Sequence, residues 1–524
     1  MIGFIDALLD RITMYRLMVF YLGALLAAAF ALSIFQILPV DPLALATSTV
    51  LITATSLASN FLVSRLFRAP PNWDSVYITA LILILLLDPA PPSQYLQLAS
   101  LAFAALAATL SKYALAFRRK HVFNPAALGA VLVGVVLDQS PSWWAGGNLP
   151  LMPLVVVGGV LVVRKLRRGD LVASFVVATL AASLVAKPLA DAGTAIYQAV
   201  VYSPLFFVAF VMLTEPLTTP PRRWARIAYG ALVGILSAPT THFGSFYLTP
   251  ELALVLGNLF SYAASPVGRL QLTLTRIEQT GASVYDFVFR PERKLAFQAG
   301  QFVEVALDLQ QGDSRGNRRY FTIASSPTEN ELRLGIKLNP EPSAFKLALT
   351  AMKPGDTLYA GQLGGEFTLP ADPDRKLAFL AGGVGITPFR SMIKYLLDKG
   401  EARSIVVLYG AERAADLAYR DIFDRAEREL GVKTDYILAN ESSPETGFRQ
   451  GLLSEEIVRD LVPDFLERTF YVSGPLAMVE GCKRVLHAMG VKHHAIKVDF
   501  FPGFAPTHHH SRRQVSFASE RGAA

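Results

Sequence analysis

Lys376-Leu377-Ala378-Phe379-Leu380-Ala381-Gly382-Gly383-Val384-Gly385-Ile386-Thr387-Pro388-Phe389 reads as a strand, a glycine-rich turn and the start of a helix. Lys376–Ala381 is a short apolar run of strand length, and Phe389–Leu397 has helical periodicity. Glycines between a strand and a helix let backbone amides approach a pyrophosphate, whose charge suits the helix N-terminus. A glycine cluster alone fits any tight turn, so the flanking pattern carries the reading. Ile405–Tyr409 and Thr469–Val472 continue it as further strands of a parallel sheet. The second of these ends in Ser473-Gly474-Pro475, with Met478 just beyond.

Upstream, Leu270–Thr275 and Val284–Phe289 alternate as strands do, and Arg319-Tyr320-Phe321-Thr322-Ile323-Ala324-Ser325-Ser326-Pro327 follows. That stretch resembles the Arg-x-Tyr-Ser-Ile-Ala-Ser motif of the ferredoxin–NADP reductase superfamily, with Phe for Tyr and Thr for Ser. Gly382–Pro388 is similar to that superfamily's nicotinamide-nucleotide loop, and Ser473-Gly474-Pro475 with Met478 resembles its Cys-Gly-Pro-x-x-Met. Pro342-Ser343-Ala344-Phe345, Lys353-Pro354-Gly355-Asp356 and Gly364-Gly365-Glu366-Phe367 fall in register with it. The resemblance covers roughly 268–504. It implies a β-barrel FAD domain over 266–372 and an α/β nicotinamide-nucleotide domain over 373–504.

The residue types suit those roles. The Arg319 guanidinium can fork onto a flavin pyrophosphate, an aromatic can cover the cofactor, and the Thr322 hydroxyl can face flavin N5. Tyr320 points the other way if this is a strand. Phe321 lacks the phenol that the superfamily's Tyr would supply. Ser343 is expected to cap a short helix and meet the pyrophosphate, though an ordinary N-cap looks the same. Ser473 stands where the superfamily has Cys beside the nicotinamide. The expected cofactor-binding set is Arg319, Tyr320, Phe321, Thr322, Ser343, Gly382, Gly383, Gly385, Thr387, Pro388, Gly474, Pro475 and Met478, with Thr322 and Ser473 closest to the chemistry. Arg413 could meet a 2′-phosphate, but a solvated loop arginine fits equally, which leaves NADH and NADPH both open.

Residues 1–265 are a different material. Of the 524 residues 52% are apolar, above the usual soluble range of about 45–50%, and the mean hydropathy is +0.37. A helix crosses the hydrocarbon core in about 20 residues. Ten segments meet or approach that length: 17–38, 43–64, 75–88, 93–111, 122–138, 150–166, 171–190, 197–214, 225–238 and 249–265. Loops on one side carry Arg65, Arg68, Lys112, Arg118, Arg119, Lys120, Arg164, Lys165, Arg167, Arg168, Arg222, Arg223 and Arg226; the other side has only Lys187. The asymmetry puts the N-terminus and the junction near residue 265 in the cytoplasm of a multi-pass inner-membrane protein. It also accounts for the net charge of +7 without nucleic acid. Leu87-Asp88-Pro89 and Thr214-Glu215-Pro216 end the third and eighth segments alike, suggesting two inverted five-span units with broken helices beside a site.

Phe123-Asn124-Pro125-Ala126 with Leu128-Gly129 resembles the signature of the Rnf electron-transport complex D subunit, whose family includes the sodium-translocating NADH:quinone reductase B subunit. Phe210–Pro220 resembles that family's Met-x-Thr-Asp-Pro-x-x-x-Pro stretch, and Arg223-Trp224 and Tyr229–Gly234 follow at its spacing. The resemblance implies a ten-helix flavoprotein core and makes Asn124, Pro125, Thr214 and Glu215 the candidates within it. The family attaches FMN through a Ser-Gly-Ala-Thr stretch after the Asn-Pro segment, which this chain lacks. A non-covalent second flavin or a quinone remains open.

Cys482, the only cysteine, excludes a disulfide framework and a four-thiolate iron–sulfur cluster of this chain's own. No metal site is expected, and His121 and His242, on opposite faces, make poor paired haem ligands. The tail 505–524, with His508-His509-His510, reads as disordered. The expected function is a membrane-bound NAD(P)H dehydrogenase passing electrons from cytoplasmic NAD(P)H through FAD to a quinone, a second flavin or an outward acceptor, an electron-acceptor protein included. The alternatives are a transporter or channel gated by a cytoplasmic redox sensor, and a catalytic module on a plain membrane anchor.

Overall fold

A computed structural model describes Leu9 and residues 12–67, 73–117, 120–185, 191–265, 268–307, 317–338, 342–439 and 448–499. The loop charges at Arg68, Arg118, Arg119 and Lys187 and the tail 505–524 lie outside the described residues.

Each of the ten apolar segments falls on a helix or a bent pair. In order these are α1 (Met14–Ile34), α2 (Pro42–Leu66), α3 (Trp73–Leu86), α4 (Tyr95–Ala114), α5 (Pro125–Leu137), α6 (Met152–Leu166), α7 (Gly169–Val185), the pair α8 (Ala192–Tyr202) and α9 (Leu205–Met212), α10 (Arg223–Leu236) and α11 (Pro250–Ala264). Among the described residues α1, α2 and α4 are long and apolar enough to cross a bilayer, and α8 with α9 passes as one span bent by 58°. The other segments are shorter than the sequence spacing suggests: Pro89 follows α3, and α5 and α6 end at the left-handed residues Asp138 and Arg167. The free end of α3 is satisfied from outside, its Leu85 and Leu86 carbonyls accepting from the Ala145 and Trp143 amides at 3.3 and 3.0 Å. Buried backbone at a broken helix needs such partners.

The next unit is a six-stranded antiparallel sheet of β1 (Leu270–Gln279), β2 (Val284–Pro291), β3 (Phe302–Ala306), β4 (Arg318–Thr322), β5 (Leu332–Lys337) and β6 (Thr357–Gly364), ordered β4-β3-β6-β1-β2-β5. Leu270, Leu272 and Leu274 of β1 and Leu332, Leu334 and Ile336 of β5 alternate inward as the pleat requires. An Ile323–Leu334 bridge joins the two edges and curls the sheet on itself, which removes the exposed edges an open sheet would leave. One short helix, α12 (Ala344–Thr350), is inserted before β6.

The last unit is a parallel sheet of β7 (Leu377–Gly382), β8 (Ile405–Ala411), β9 (Lys433–Leu438), β10 (Phe448–Gln450), β11 (Thr469–Ser473) and β12 (Ile496–Asp499), ordered β10-β9-β8-β7-β11-β12. Its central strand β7 is buried along all six residues, the mark of a sheet covered on both faces. Leu377, Phe379 and Ala381 pack toward α13 (Thr387–Lys399) and α14 (Arg420–Leu430); Ala378 and Leu380 pack toward α15 (Glu455–Leu461) and α16 (Leu476–Ala488). Cys482 is a core residue of α16, and burial pushes its thiol up to about 11, which leaves it unreactive.

Barrel and sheet are locked together. Arg390 of α13 donates to the Ala324 carbonyl at 2.9 Å and forks onto Glu329; Ser391 Oγ donates to the Ser325 carbonyl at 2.6 Å. Tyr419 donates to Asp286, a carboxyl that burial raises above its usual range.

Candidate functional site

The strand order places the turn after β7 where successive connections leave the sheet in opposite directions, β8 to one side and β11 to the other, the position where open α/β sheets bind ligands. Gly383 sits at φ +52°, and a Cβ there would meet nothing within 4 Å, so the turn has an open side. Gly385 is the opposite case: a Cβ would lie 2.4 Å from the Ser473 carbonyl oxygen and 2.6 Å from the Gly474 Cα. A Cβ on Gly382 would lie 2.2 Å from the Met478 sulfur. Glycine at these positions is what lets the β7–α13 and β11–α16 turns touch, gathering Gly382, Gly383, Gly385, Ser473, Gly474, Pro475 and Met478. Thr387 and Pro388 play another part. Thr387 donates to the Val384 carbonyl at 3.0 Å and packs against Gly335 of the barrel, while Pro388 starts α13.

Strand β4 supplies the barrel's share. Arg319 and Phe321 share one face, as alternation demands: the Arg319 guanidinium carbon stands 5.1 Å from the Phe345 ring centre, and the Phe321 and Phe345 rings are 5.9 Å apart. Phe345 lies in the first turn of α12, whose N-cap Ser343 accepts from the Lys346 amide at 3.4 Å. A cation and a helix N-terminus therefore meet on one side of β4. Tyr320 points away, edge-on to Phe302 at 5.5 Å, with its hydroxyl 3.4 Å from Gln362.

Thr322 Oγ1 donates to Asp499 Oδ2 at 3.4 Å. Asp499 ends β12 directly beside Ser473, which in turn lies beside Ala381 of β7. Thr322 and Ser473 are thus brought together through a carboxyl that sequence reading missed. Burial lifts Asp499 from 3.8 to about 7, against the Thr322 hydrogen bond and the charge of Arg167. Its only local signal is a carboxylate closing an apolar strand, which is common.

A second cluster lies in the helical half. Asn124 caps α5, its Oδ1 accepting from the Ala127 amide at 3.1 Å; its Nδ2 donates to the Met212 carbonyl at 3.3 Å, and its amide donates to Asn258 Oδ1 at 2.7 Å. Pro125 follows as the first helical residue. Thr214 back-bonds to the Phe210 carbonyl at 2.7 Å where α9 ends. Glu215 is clipped by His121 Nε2 at 2.9 Å and Thr218 Oγ1 at 3.2 Å. All four sequence candidates, Asn124, Pro125, Thr214 and Glu215, line one cleft, with Tyr15 and Thr79 also on its wall. His121, singled out in the sequence only as a poor haem ligand, is buried against Glu215. His242 lies in an exposed hairpin and bonds the Gly244 carbonyl at 3.0 Å.

Comparison with known proteins matches two regions of the chain. Residues 144–264 match the family described as NQR2, RnfD, RnfE, and residues 379–484 match the oxidoreductase NAD-binding domain. Two family regions meet on one chain. The flavohemoprotein of Pseudomonas putida is 29% identical over 238 residues, covering 45% of this chain and 59% of its own. The glycine betaine monooxygenase reductase subunit of Chromohalobacter salexigens is 25% identical over 230 residues, covering 43% and 61%. The chain thus spans about three-fifths of the length of these relatives. Among solved structures, the Amycolatopsis cytochrome P450 reductase GcoB is similar at 24% identity and a TM-score of 0.40, covering 44% of this chain and 69% of its own. Residues 379–484 thus carry an oxidoreductase NAD-binding domain on the same chain as a region of the NQR2, RnfD, RnfE family.

Proposed function

We propose that this protein is a membrane-bound NAD(P)H oxidoreductase that delivers electrons to an acceptor in the cleft of its helical half. The observation that carries the reading is the meeting of Thr322, Asp499 and Ser473 beside the glycine turns. The nicotinamide nucleotide is held over Gly382, Gly383 and Gly385 and against Gly474, Pro475 and Met478. FAD is held by Arg319, Phe321 and the first turn of α12 behind Ser343; a guanidinium beside a helix N-terminus suits a pyrophosphate. When bound, FAD accepts two electrons together and releases them singly. Thr322 and Asp499 hold a proton between them at a site poised near neutrality. Asn124, Pro125, Thr214 and Glu215 hold the acceptor, a quinone or a non-covalent second flavin. With a quinone the balance is NAD(P)H + H⁺ + quinone → NAD(P)⁺ + quinol.

The finer arrangement belongs to the same proposal. Residues 1–265 form ten spans in two inverted five-span units, with both ends and the soluble domains 266–372 and 373–504 in the cytoplasm. The shorter helices and the 58° break are what inverted repeats around a central site use. That break also favours a second reading, a transporter or channel gated by the redox module. The test is purified full-length protein with its flavin content measured, reduced anaerobically by NADH or NADPH, then given a short-chain quinone. Bound FAD, its bleaching and stoichiometric quinol support the oxidoreductase. Bleaching without quinol, together with solute flux that tracks the redox state, supports the gated transporter. No flavin after reconstitution and no bleaching overturns both.

A further inference from the structure

Strand β4 has two working faces. Arg319 and Phe321 face α12, while Arg318 and Tyr320 face the helical half. Arg318 Nη1 donates to the Tyr15 hydroxyl at 3.2 Å, with its guanidinium 5.5 Å from the Tyr15 ring centre. The same group pairs with Glu304 at 3.2 Å, the two side chains being 13% and 5% exposed. A buried pair of this kind is a weak source of stability but a strong constraint on geometry, because breaking it strands a charge. Tyr15 opens α1 and is also a wall of the cleft that holds Asn124 and Glu215.

Two more segments press on the barrel. Pro221, in the stretch that follows Glu215, lies 3.7 Å from where a Cβ on Gly364 would stand. The turn between α6 and α7 puts Arg168 within electrostatic reach of Tyr320, and Arg167 within reach of Asp499. Arg167 holds this turn at φ +53°, a left-handed conformation that a non-glycine residue adopts only at a steric cost. Three separate parts of the helical half therefore press on the soluble units, at Arg318 and Tyr320 of β4, at Gly364 of β6 and at Asp499 of β12.

We propose that the barrel works while seated in this position, and that electrons leave the flavin strand through the seat, past Tyr15, directly into the cleft. Tyr15, Arg318 and Glu304 are positioning residues in this scheme. Each turnover sends two electrons through the seat into one quinone, which takes two protons to become quinol, so neither a swinging domain nor a soluble carrier is required. The proposal rests on the oxidoreductase reading above.

The test uses the full chain in lipid nanodiscs with Cys482→Ala, Gly364→Cys and Pro221→Cys. A Cβ–Cβ separation of 3.7 Å is within the disulfide window of about 3.5–4.5 Å. Mild oxidation is expected to link the two cysteines, read as a linked peptide by mass spectrometry, and NAD(P)H:quinone turnover of the linked protein is expected within twofold of the reduced form. Arg318→Met with Glu304→Gln, which removes the pair without stranding a charge, is expected to slow quinone reduction at least threefold and leave ferricyanide reduction unchanged. Flavin that bleaches in a protein that will not cross-link overturns the seating. A linked protein that reduces ferricyanide but has lost quinone reduction more than tenfold overturns the fixed path. Flavin that NADH and NADPH both fail to bleach overturns the oxidoreductase reading itself, a separate outcome from the cross-link.

Discussion

Asp499→Asn gives the most quantitative test of the soluble site. Its carboxyl titrates near 7 in the folded protein and at 3.8 when exposed, so the folded form holds the proton more tightly. Folding stability is then highest below the unfolded value, falls as pH rises from 3.8, and reaches its floor above 7. At 1.36 kcal/mol per pH unit the full penalty is at most about 4 kcal/mol. Roughly 2 kcal/mol of it is already present at pH 5. Asparagine keeps the shape and never ionises, so the variant gains on its parent as pH rises. At roughly 2–4 °C per kcal/mol, its melting advantage should widen by about 5–10 °C between pH 5 and pH 8. All four tryptophans, Trp73, Trp143, Trp144 and Trp224, lie in the first half, so tryptophan fluorescence is silent on this domain. The assay is instead the rise in flavin fluorescence as cofactor is released on heating. A variant whose advantage is flat with pH, or largest at pH 5, would refute a buried neutral carboxyl at Asp499.

Gly385→Ala should raise the Kd for NAD(P)H at least tenfold in a titration of flavin bleaching, because its methyl meets backbone at 2.4 Å; Gly382→Ala should be milder, since its closest clash is with the flexible Met478 tip. Arg319→Met should purify with less than half the FAD per chain of the parent, measured after acid release, while the nicotinamide domain still melts as before. Asn124→Ala removes a helix cap and one further side-chain contact, to the Met212 carbonyl, so its thermal transition in detergent should fall by the equivalent of about 1–2 kcal/mol. Glu215→Gln should spare ferricyanide reduction and slow quinone reduction at least fivefold; equal rates with both acceptors would remove Glu215 from the acceptor site.

Much of this was legible from local pattern, because local physics produced it. The strand–glycine–helix phrase at 376–397 needs only burial of β7 and room at Gly385, and both are written in residue types. Alternation along β4 separates Arg319 and Phe321 from Tyr320 before any fold is known. The apolar segments, too, each found a helix, since hydropathy and helical propensity act over a single turn or two. Segment length was less readable, because Pro89 follows a helix whose free carbonyls other segments must satisfy.

What the chain alone decided is therefore the material of each part: apolar helices, an alternating barrel, a buried parallel sheet with a glycine turn. Tertiary structure decided the meetings. Asp499 reaches Thr322 across 177 residues of sequence, His121 reaches Glu215 across 94, and Arg318 reaches Tyr15 across 303. A carboxylate at the end of a strand or a histidine in a loop carries no local mark of its partner. Its character is set by burial and by the charge placed opposite it, and those exist only once the distant segments have packed.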